Sequence, residues 1–273
     1  MEGTKPPTVI LYAFEKSPNV PSVSPFCQKL ECHLRFADVS YNQAFTLPHK
    51  APKKKLPYVS IGGVTVADTG FIVRYMRQRG ITDLDAKAGL SDTQKAESLA
   101  YCGFWEEKVF PAVLSYRWMR KENLPIISNQ VFGTLPAILR VPISWWFRRS
   151  VTRTLKMQGM GRHTPDEVDT ILREAFTALE ARLTTVSGNP EWFHGTSEPT
   201  DIDAVLAGML INFCGTRANS LCKDFILGSS ILRGYVKMAV ERYFPEFVGL
   251  VSEFKEADAA YKAQGQVLSP SIL

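Results

Sequence analysis

The first eighty residues alternate strand and helix patterns in an order that restricts the possible folds severely. An apolar run at residues 9–14, rich in strand formers and bounded by prolines, predicts a buried strand. From Ser24 onward apolar residues recur at helical spacing, after a capping serine and a proline at the first helical position. We therefore expect a helix that ends near residues 36–38. Residues 41–45 predict a second strand.

Two further strands and a helix complete this unit. Residues 58–61 and 64–66 are strand-forming runs separated by two glycines, which predicts a β-hairpin. A second helix is then expected to begin at Asp68. The order β-α-β-loop-β-β-α predicts an α/β domain over residues 1–87.

A linker at residues 81–91 separates this unit from a region in which strand patterns fade and long amphipathic runs take over. We therefore predict an all-helical second domain over residues 88–273. Its helices are expected at residues 92–122, 164–183, 200–217, 231–243 and 245–265. Residues 124–161 are broken by prolines and are expected to be irregular.

The composition predicts a folded chain and does not favour binding to nucleic acid. With 45% hydrophobic and 22% charged residues among 273, the chain can bury one or two cores, which excludes a disordered protein. The formal charge of +5 is modest and the basic residues form short clusters, so nucleic-acid binding is not expected. Five cysteines without framework spacing fit reduced thiols, and residues 1–8 do not resemble a signal peptide. A cytoplasmic protein is therefore expected.

Metal and membrane sites are not favoured by the sequence. The four histidines are scattered without metal-ligand spacing. The most apolar stretch, residues 131–147, is too short to span a bilayer and is interrupted by two prolines and an arginine. The aromatic residues 145–147 stand beside Arg148 and Arg149 and could contact a membrane peripherally, but we expect an interdomain or core role for them.

The first motif that can carry chemistry is Ser24-Pro25-Phe26-Cys27, at the predicted strand-to-helix turn. The exposed amides and positive dipole end of a helix N-terminus stabilise a thiolate, whether it belongs to the protein or to a bound thiol. Ser24 could donate a hydrogen bond to that sulfur, or it could be only a helix cap. Cys27, one turn inside the helix, is either a buried thiol or a redox group.

The second motif is Lys55-Leu56-Pro57-Tyr58, directly before the hairpin. Pro57 could form a cis bond at this loop-to-strand junction, which would turn the backbone of Leu56 outward to pair with a peptide ligand. An ordinary trans proline at a strand start is the alternative.

The third motif is Asp68-Thr69, at the start of the second predicted helix. A carboxylate and a hydroxyl there can hold the ammonium and carboxylate of a small zwitterion, and the exposed amides favour an anion. A simple helix cap is the alternative.

The order of these three motifs resembles that of glutathione transferases, in which a Ser- or Cys-Pro-Phe turn, an aliphatic-Pro segment and an acidic-Ser/Thr pair follow one another. The resemblance implies a thioredoxin-like N-terminal domain followed by an all-helical domain, with glutathione as co-substrate. It also implies roles for individual residues. Ser24 activates the thiol, Leu56 pairs with the cysteinyl backbone, Lys55 reaches the glycyl carboxylate, Asp68 and Thr69 hold the γ-glutamyl group, and Phe26 and Pro57 belong to the same binding site.

The second predicted domain carries an independent resemblance to this family. Residues 193–195, Phe-His-Gly, precede Pro199 and a Thr200 to Asp203 segment that looks like the family's buried capping motif. Its role is in folding. The motif around Ser24 and the segment 158–163 are most similar to the failed-axon-connections branch, which is related to metaxins.

Three functional hypotheses follow. The leading one is a glutathione transferase in which Ser24 activates the thiol for transfer to a small, electrophilic, apolar acceptor. The second is a glutathione-dependent thiol reductase that uses Cys27. The third is a non-catalytic ligand-binding or tethering protein of the metaxin kind. Residues 15–23 form a longer loop than in common glutathione transferases and are expected to cover the site in part. A homodimer is expected by similarity alone.

Overall fold

A computed structural model describes residues 8–185 and 192–263. Four strands form one mixed sheet in the order β2-β1-β3-β4. The strands are β1 (Val9–Ala13), β2 (Tyr41–Phe45), β3 (Tyr58–Ile61) and β4 (Val64–Ala67). β1 pairs with β2 in parallel and with β3 antiparallel, and β3 pairs with β4 antiparallel as the predicted hairpin.

Two helices belong to this sheet unit, and both begin where the sequence predicts. α1 (Pro25–Phe36) has Ser24 as its N-cap, and α2 (Thr69–Gln78) has Asp68 as its N-cap. Apolar side chains from the sheet and from both helices form one continuous core, because alternate strand residues and one face of each helix point to the same layer. This core includes Val9, Leu11, Leu30, Leu34, Val59, Ile61, Ile72 and Met76.

The rest of the described chain is helical. The helices are α3 (Leu84–Lys87), α4 (Asp92–Phe104), α5 (Phe110–Trp118), α6 (Leu124–Phe132), α7 (Ala137–Gln158), α8 (Pro165–Thr184), α9 (Asp201–Gly215), α10 (Ser220–Gly228), α11 (Ser230–Tyr243) and α12 (Val248–Ala263). They enclose a second, larger core. The domain boundary after residue 87 stays a prediction.

Residues 124–161 differ from the prediction, because most of them are helical. Pro125 lies in the first turn of α6 and Pro136 is the N-cap of α7, positions at which a proline removes no intrahelical hydrogen bond. Only Pro142 lies inside a helix. The prolines therefore begin helices here where they were expected to break them.

Two helix boundaries also differ. The run predicted at residues 92–122 is divided by a π-helical turn, Trp105–Val109, between α4 and α5. Such a turn holds one more residue than an α-helical turn, and Trp105 and Val109 are both fully buried by it. The last helix begins at Val248, not at Pro245, and its predicted end at Gly265 lies outside the described residues.

Helix α9 is the centre of the molecule. All its residues from 202 to 214 are buried, as expected for a helix that is apolar on every side. It packs lengthwise against α1, with Gly208 of α9 directly opposite the backbone of Lys29. The predicted capping box is confirmed, since Thr200 caps the helix and the Asp203 side chain returns to the Thr200 backbone.

Candidate functional site

The three predicted motifs lie at one end of the sheet. Tyr12 near the end of β1 pairs with Tyr58 at the start of β3, which in turn pairs with Ala67 at the end of β4. The rings of Tyr12 and Tyr58 stack with their centroids 4.4 Å apart. Because Pro57 precedes β3 and Asp68 follows β4, the register brings these two segments to the same edge. The start of α1 lies beside them, since the backbone amide of Phe14, one residue after β1, donates a hydrogen bond to the Cys27 thiol.

Ser24 caps α1 and is half-buried. Its Oγ accepts a hydrogen bond from the amide of Cys27 at 3.4 Å, and its own amide donates to Oγ of Ser22 at 3.3 Å. A hydroxyl has one donor and two acceptor positions, so the capping contact does not use its proton. That proton is within reach of the Cys27 sulfur, since a Ser24 hydrogen bond acts to lower the pKa of the Cys27 thiol. The cap is therefore present, and donation to a bound thiolate requires the proton to turn away from Cys27.

The loop before Ser24 is held against α1 and α9. The Ser22 amide donates to Gln28 Oε1 at 2.9 Å, and Nδ2 of Asn212 donates to the Ser22 carbonyl at 2.6 Å. Pro21 packs so closely on Gly215 that a Cβ atom there would lie 2.7 Å from the proline ring. Within residues 8–185 and 192–263 no hydrogen bond joins this loop to the segments at Pro57 or Asp68. That it covers the site in part stays a prediction.

The Leu56-Pro57 peptide bond is cis. The backbone N–H and C=O of Leu56 have no hydrogen-bond partner in the described part of the chain. An unpaired backbone edge of this kind can accept an extended peptide as an added strand. Lys55, next to it, is exposed, and Pro57 is buried.

Asp68 has a backbone φ of +84°, in the left-handed region that L residues rarely adopt. Its Oδ1 accepts hydrogen bonds from the amides of Gly70 at 3.0 Å and Phe71 at 3.3 Å. These contacts stabilise the start of α2 and leave the other carboxylate oxygen, Oδ2, outside them. Strained backbone of this kind concentrates at functional sites.

Thr69 is not placed as predicted, because its side chain points into the protein. It is only 5% exposed, and its Oγ1 accepts a hydrogen bond from Nζ of Lys29 at 3.1 Å. The same ammonium forms an ion pair with Glu106 in the π-helical turn. The hydroxyl therefore helps to join α2, α1 and the helical region and is not available to a ligand. The backbone amide of Thr69 is in the first turn of α2, where amides have no intrahelical partner.

Sequence reasoning missed Lys29 and Glu106. The one available signal was a lysine beside Leu30 on the buried side of α1, where a charged group needs a partner. Nothing in the sequence identified Glu106 as that partner, since it is separated from Lys29 by 77 positions.

Phe26 closes the site on the side of the helical region. Its ring meets that of Phe110 edge to face, with centroids 4.9 Å apart. Two open grooves, of about 880 and 510 Å³, lie elsewhere, one along α7 and one at the opposite end of the sheet near Arg79. Neither is lined by Ser24, Leu56 or Asp68. Among the described residues no cluster of acidic, cysteine and histidine side chains could hold a metal ion.

Cys27 is 2% exposed, and burial raises the pKa of its thiol to about 11, although hydrogen bonds from Ser24 and Phe14 act in the opposite direction. All five cysteines are free thiols. A reactive cysteine needs exposure and a lowered pKa, so the geometry gives no support to the reductase hypothesis.

We expect iodoacetamide at neutral pH to leave Cys27 unmodified in the native protein, because the thiol is both protonated and inaccessible. Peptide mass spectrometry after a short labelling pulse measures this directly. Unfolding in guanidinium should expose all five thiols and serves as the positive control. Native labelling of Cys27 at the rate of the unfolded chain would restore the reductase hypothesis.

The sequence is similar to a known family and to several known proteins. The family described as "Glutathione S-transferase N-terminal domain" matches residues 25–123. The chain is 26% identical to Failed axon connections of Drosophila melanogaster over 262 residues, covering 91% of this chain and 57% of that protein. It is also 26% identical to human Metaxin-2 over 200 residues, covering 72% of this chain and 73% of the relative.

Solved structures support the fold. A glutathione transferase from Phanerochaete chrysosporium aligns over 93% of this chain and 98% of its own, with a TM-score of 0.57 at 13% identity. A rice glutathione transferase solved in complex with glutathione aligns over 96% of this chain and 100% of its own, with a TM-score of 0.53 at 13% identity. The predicted fold, a thioredoxin-like domain followed by a helical region, is confirmed.

Proposed function

We propose that this protein, which belongs to the glutathione-transferase superfamily and is related to metaxins, binds glutathione at the end of the sheet formed by β1, β3 and β4. One observation carries the proposal: the strand register brings Leu56 and Asp68 to one edge, beside the start of α1, and the backbone of Leu56 is unpaired there. The glutathione bound to the rice structure of the same fold supports the choice of ligand.

The tripeptide is proposed to lie across the starts of both helices. The Leu56 backbone pairs with the cysteinyl residue, and the first amides of α2, including that of Thr69, receive the γ-glutamyl carboxylate. The free oxygen of Asp68 meets its ammonium, and the exposed Lys55 reaches the glycyl carboxylate. Phe26 and Pro57 provide apolar walls. The Thr69 hydroxyl is left out of this arrangement because it already bonds to Lys29.

Transfer of the thiol is the finer proposal. The Ser24 hydroxyl donates a hydrogen bond to the glutathione sulfur and, with the N-terminal dipole of α1, favours the thiolate. The thiolate then attacks an electrophilic carbon of a small apolar acceptor and a C–S bond forms. The bond from that carbon to its leaving group breaks, the leaving group departs with the electron pair, and the thiol proton passes to solvent.

A non-catalytic binding or tethering role is the second candidate, and one observation favours it specifically. The side chains of Ser24, Asp68 and Thr69 each already have a structural hydrogen bond within the chain. The similarity to Metaxin-2 also favours this candidate. The chain spans only 57% of Failed axon connections, so the activity of the whole relative is not carried over to it.

Calorimetry with glutathione and with S-hexylglutathione separates the two candidates. A transferase should bind both, and the hexyl derivative more tightly, because its chain buries apolar surface where the acceptor would lie. Binding of glutathione without turnover of electrophilic acceptors would favour the binding module. If neither compound binds, the glutathione site itself is rejected.

Replacing Ser24 by alanine is expected to lower the conjugation rate about 100-fold, since a hydrogen-bond donor to the developing charge is lost. Glutathione affinity should change less than about threefold, because Leu56 and Asp68 hold the tripeptide. A spectrophotometric assay with a chromogenic electrophile gives the rate, and calorimetry gives the affinity.

Ser91→Ala is the matched control for this experiment. Ser91 caps α4 as Ser24 caps α1, so both variants lose about 1 kcal/mol of cap stability, but only one should lose activity. Equal rates for Ser24→Ala and the unmodified protein would remove Ser24 from the mechanism.

A further inference from the structure

Helix α7 exposes a strongly apolar surface over its first half. Ile138 is 83% exposed, Trp145 62% and Trp146 65%, and Leu139 and Val141 are exposed with them. The interdomain or core role expected for residues 145–147 is thus wrong for both tryptophans. Phe147 alone turns inward, where its ring packs against Trp118 and Phe132.

Helix α7 exposes this apolar surface although its opposite face is firmly packed against the protein. The opposite side of α7 is docked, since Ser144, Val151 and Leu155 are buried. Arg148 also donates a hydrogen bond to the Trp118 carbonyl at 3.2 Å. The helix is therefore held by one face and presents the other, which has no partner among residues 8–185 and 192–263. Exposed apolar patches of this kind mark interaction sites.

Basic residues continue the same exposed face along the second half of the helix. Ile138, Val141, Trp145, Arg149 and Lys156 recur at intervals of three, four or seven residues, which places them on one side. The groove of about 880 Å³ along this half is lined by Arg148, Arg149, Arg153, Lys156 and Arg162, with no acidic residue. None of these five cations forms an ion pair in the described part of the chain. Helix α7 itself contains no Asp or Glu.

We propose that this α7 surface docks on a bilayer that contains anionic lipids. Tryptophans with an apolar body and a polar N–H prefer the membrane interface, and arginines next to them match the lipid phosphates. The apolar part from Ile138 to Trp146 is about 12 Å long at 1.5 Å per residue. An interfacial helix lies in the plane of the membrane surface with its apolar face buried, so the exposed face of this part enters the interface and the basic half of α7 stays among the headgroups.

Charge distinguishes this occupant from the others. A second copy of the chain would bring the same cluster of arginines against its own, which costs electrostatic energy. A protein partner would have to carry an acidic groove that complements these arginines, and no other feature of the described residues indicates such a partner. Among the described residues no single helix is long and apolar enough to cross a bilayer; α6 and α7 together meet that requirement but bend by 118° at their junction.

Vesicle flotation with the full chain tests the proposal. The protein is expected to float with vesicles of phosphatidylcholine containing 30% phosphatidylserine at least ten times more readily than with pure phosphatidylcholine. Raising NaCl from 50 to 300 mM should weaken binding several-fold, because the basic half of α7 is screened. Equal binding to both vesicle types, or to neither, would overturn the proposal.

Two variants with matched controls assign the effect to α7. Trp145→Ser with Trp146→Ser removes the inserted part, and Arg149→Glu with Arg153→Glu reverses the headgroup contacts; each should reduce flotation at least tenfold. Two control variants should leave flotation unaltered. One is Leu99→Ser with Val248→Ser, at apolar positions that are equally exposed. The other is Arg74→Glu with Arg79→Glu, which makes the same charge change in α2 and at its C-cap. Loss of binding in the controls, or its persistence in both α7 variants, contradicts the proposal.

Two further measurements exclude the alternative occupants. Soluble glycerophosphoserine at millimolar concentration should not displace the protein from vesicles; displacement would show a site for a free phosphate instead. Sedimentation velocity over a range of concentrations should show no self-association that Trp145→Ser and Trp146→Ser abolish. Such self-association without flotation would assign the face to a second copy and reject the membrane.

Discussion

Asp203→Ala is expected to abolish the native fold, as measured by loss of the cooperative unfolding transition in urea. The carboxylate of Asp203 is fully buried and accepts four hydrogen bonds: from the Phe193 amide at 2.8 Å, the Thr200 amide at 2.8 Å, the Thr200 hydroxyl at 2.6 Å and the Tyr235 hydroxyl at 2.7 Å. Each buried donor left without an acceptor costs about 1 to 3 kcal/mol, so four of them cost about 4 to 12 kcal/mol. That is comparable to the whole stability of an ordinary domain, which is about 5 to 15 kcal/mol.

Burial alone acts against this carboxylate. The pKa of Asp203 is raised above its usual range, because desolvation outweighs the hydrogen bonds from Thr200, Phe193 and Tyr235, which act to lower it. The buried carboxylate therefore needs all of its hydrogen-bond donors, because a buried charge that lacks some of them is less stable than an apolar side chain at the same position.

Two companion variants make the Asp203 result interpretable. Glu167→Ala removes the residue at the same position of a capping box in α8, which is exposed to solvent, and should cause only a small loss of stability. Tyr235→Phe removes one of the four donors and should cost about 1.5 to 3 kcal/mol while the fold persists. If the free energy of unfolding of Asp203→Ala lay within about 1 kcal/mol of that of the unmodified protein, the buried capping box would not be needed to hold α9 in place.

The second large effect is expected at Gly208, where α9 crosses α1. A Cβ atom at this position would lie 2.4 Å from Cα and 2.7 Å from the amide nitrogen of Lys29, distances that no side-chain rotation can relieve. Gly208→Ala must push the two helices apart, and with them the core and the Lys29 ion pair with Glu106. We expect a loss of about 3 kcal/mol or complete loss of folding, measured by urea denaturation.

Gly103→Ala is the matched control for Gly208. Gly103 lies in α4 with nothing within 4 Å of the added Cβ, so this change should be neutral or stabilise by up to about 1 kcal/mol through helix propensity. Similar stabilities for the Gly208 and Gly103 variants would mean that α1 and α9 can separate without loss, and the close crossing would have no structural role.

The local features of the N-terminal unit could be predicted because each depends on neighbours in the chain. The strand at residues 9–13, the hairpin around Gly62 and the caps at Ser24 and Asp68 follow from short-range patterns that the structure confirms. The cis bond before Pro57 was one of two alternatives, and the structure has the cis form.

Prediction failed where a residue's role depends on a distant partner. Thr69 fits a ligand site in the sequence, but Lys29 takes its hydroxyl. The apolar run around Trp145 and Trp146 predicts an interdomain or core role for them, yet α7 docks by its other face and leaves both tryptophans exposed. The prolines in residues 124–161 predict an irregular segment, because a proline inside a helix breaks it, whereas Pro125 lies in a first turn and Pro136 is an N-cap.

By itself the sequence determined the order of elements in the N-terminal unit, the starts of α1 and α2 and the buried capping box, since hydrogen bonds over a few residues and apolar periodicity are encoded locally. Only the tertiary structure decided which polar side chains remain available for a ligand and which face of α7 meets solvent. Both depend on how α1, α2, α7 and α9 pack, and packing joins residues that the chain separates by scores of positions. A local pattern gives a side chain its chemistry, but its surroundings decide whether that chemistry is exposed.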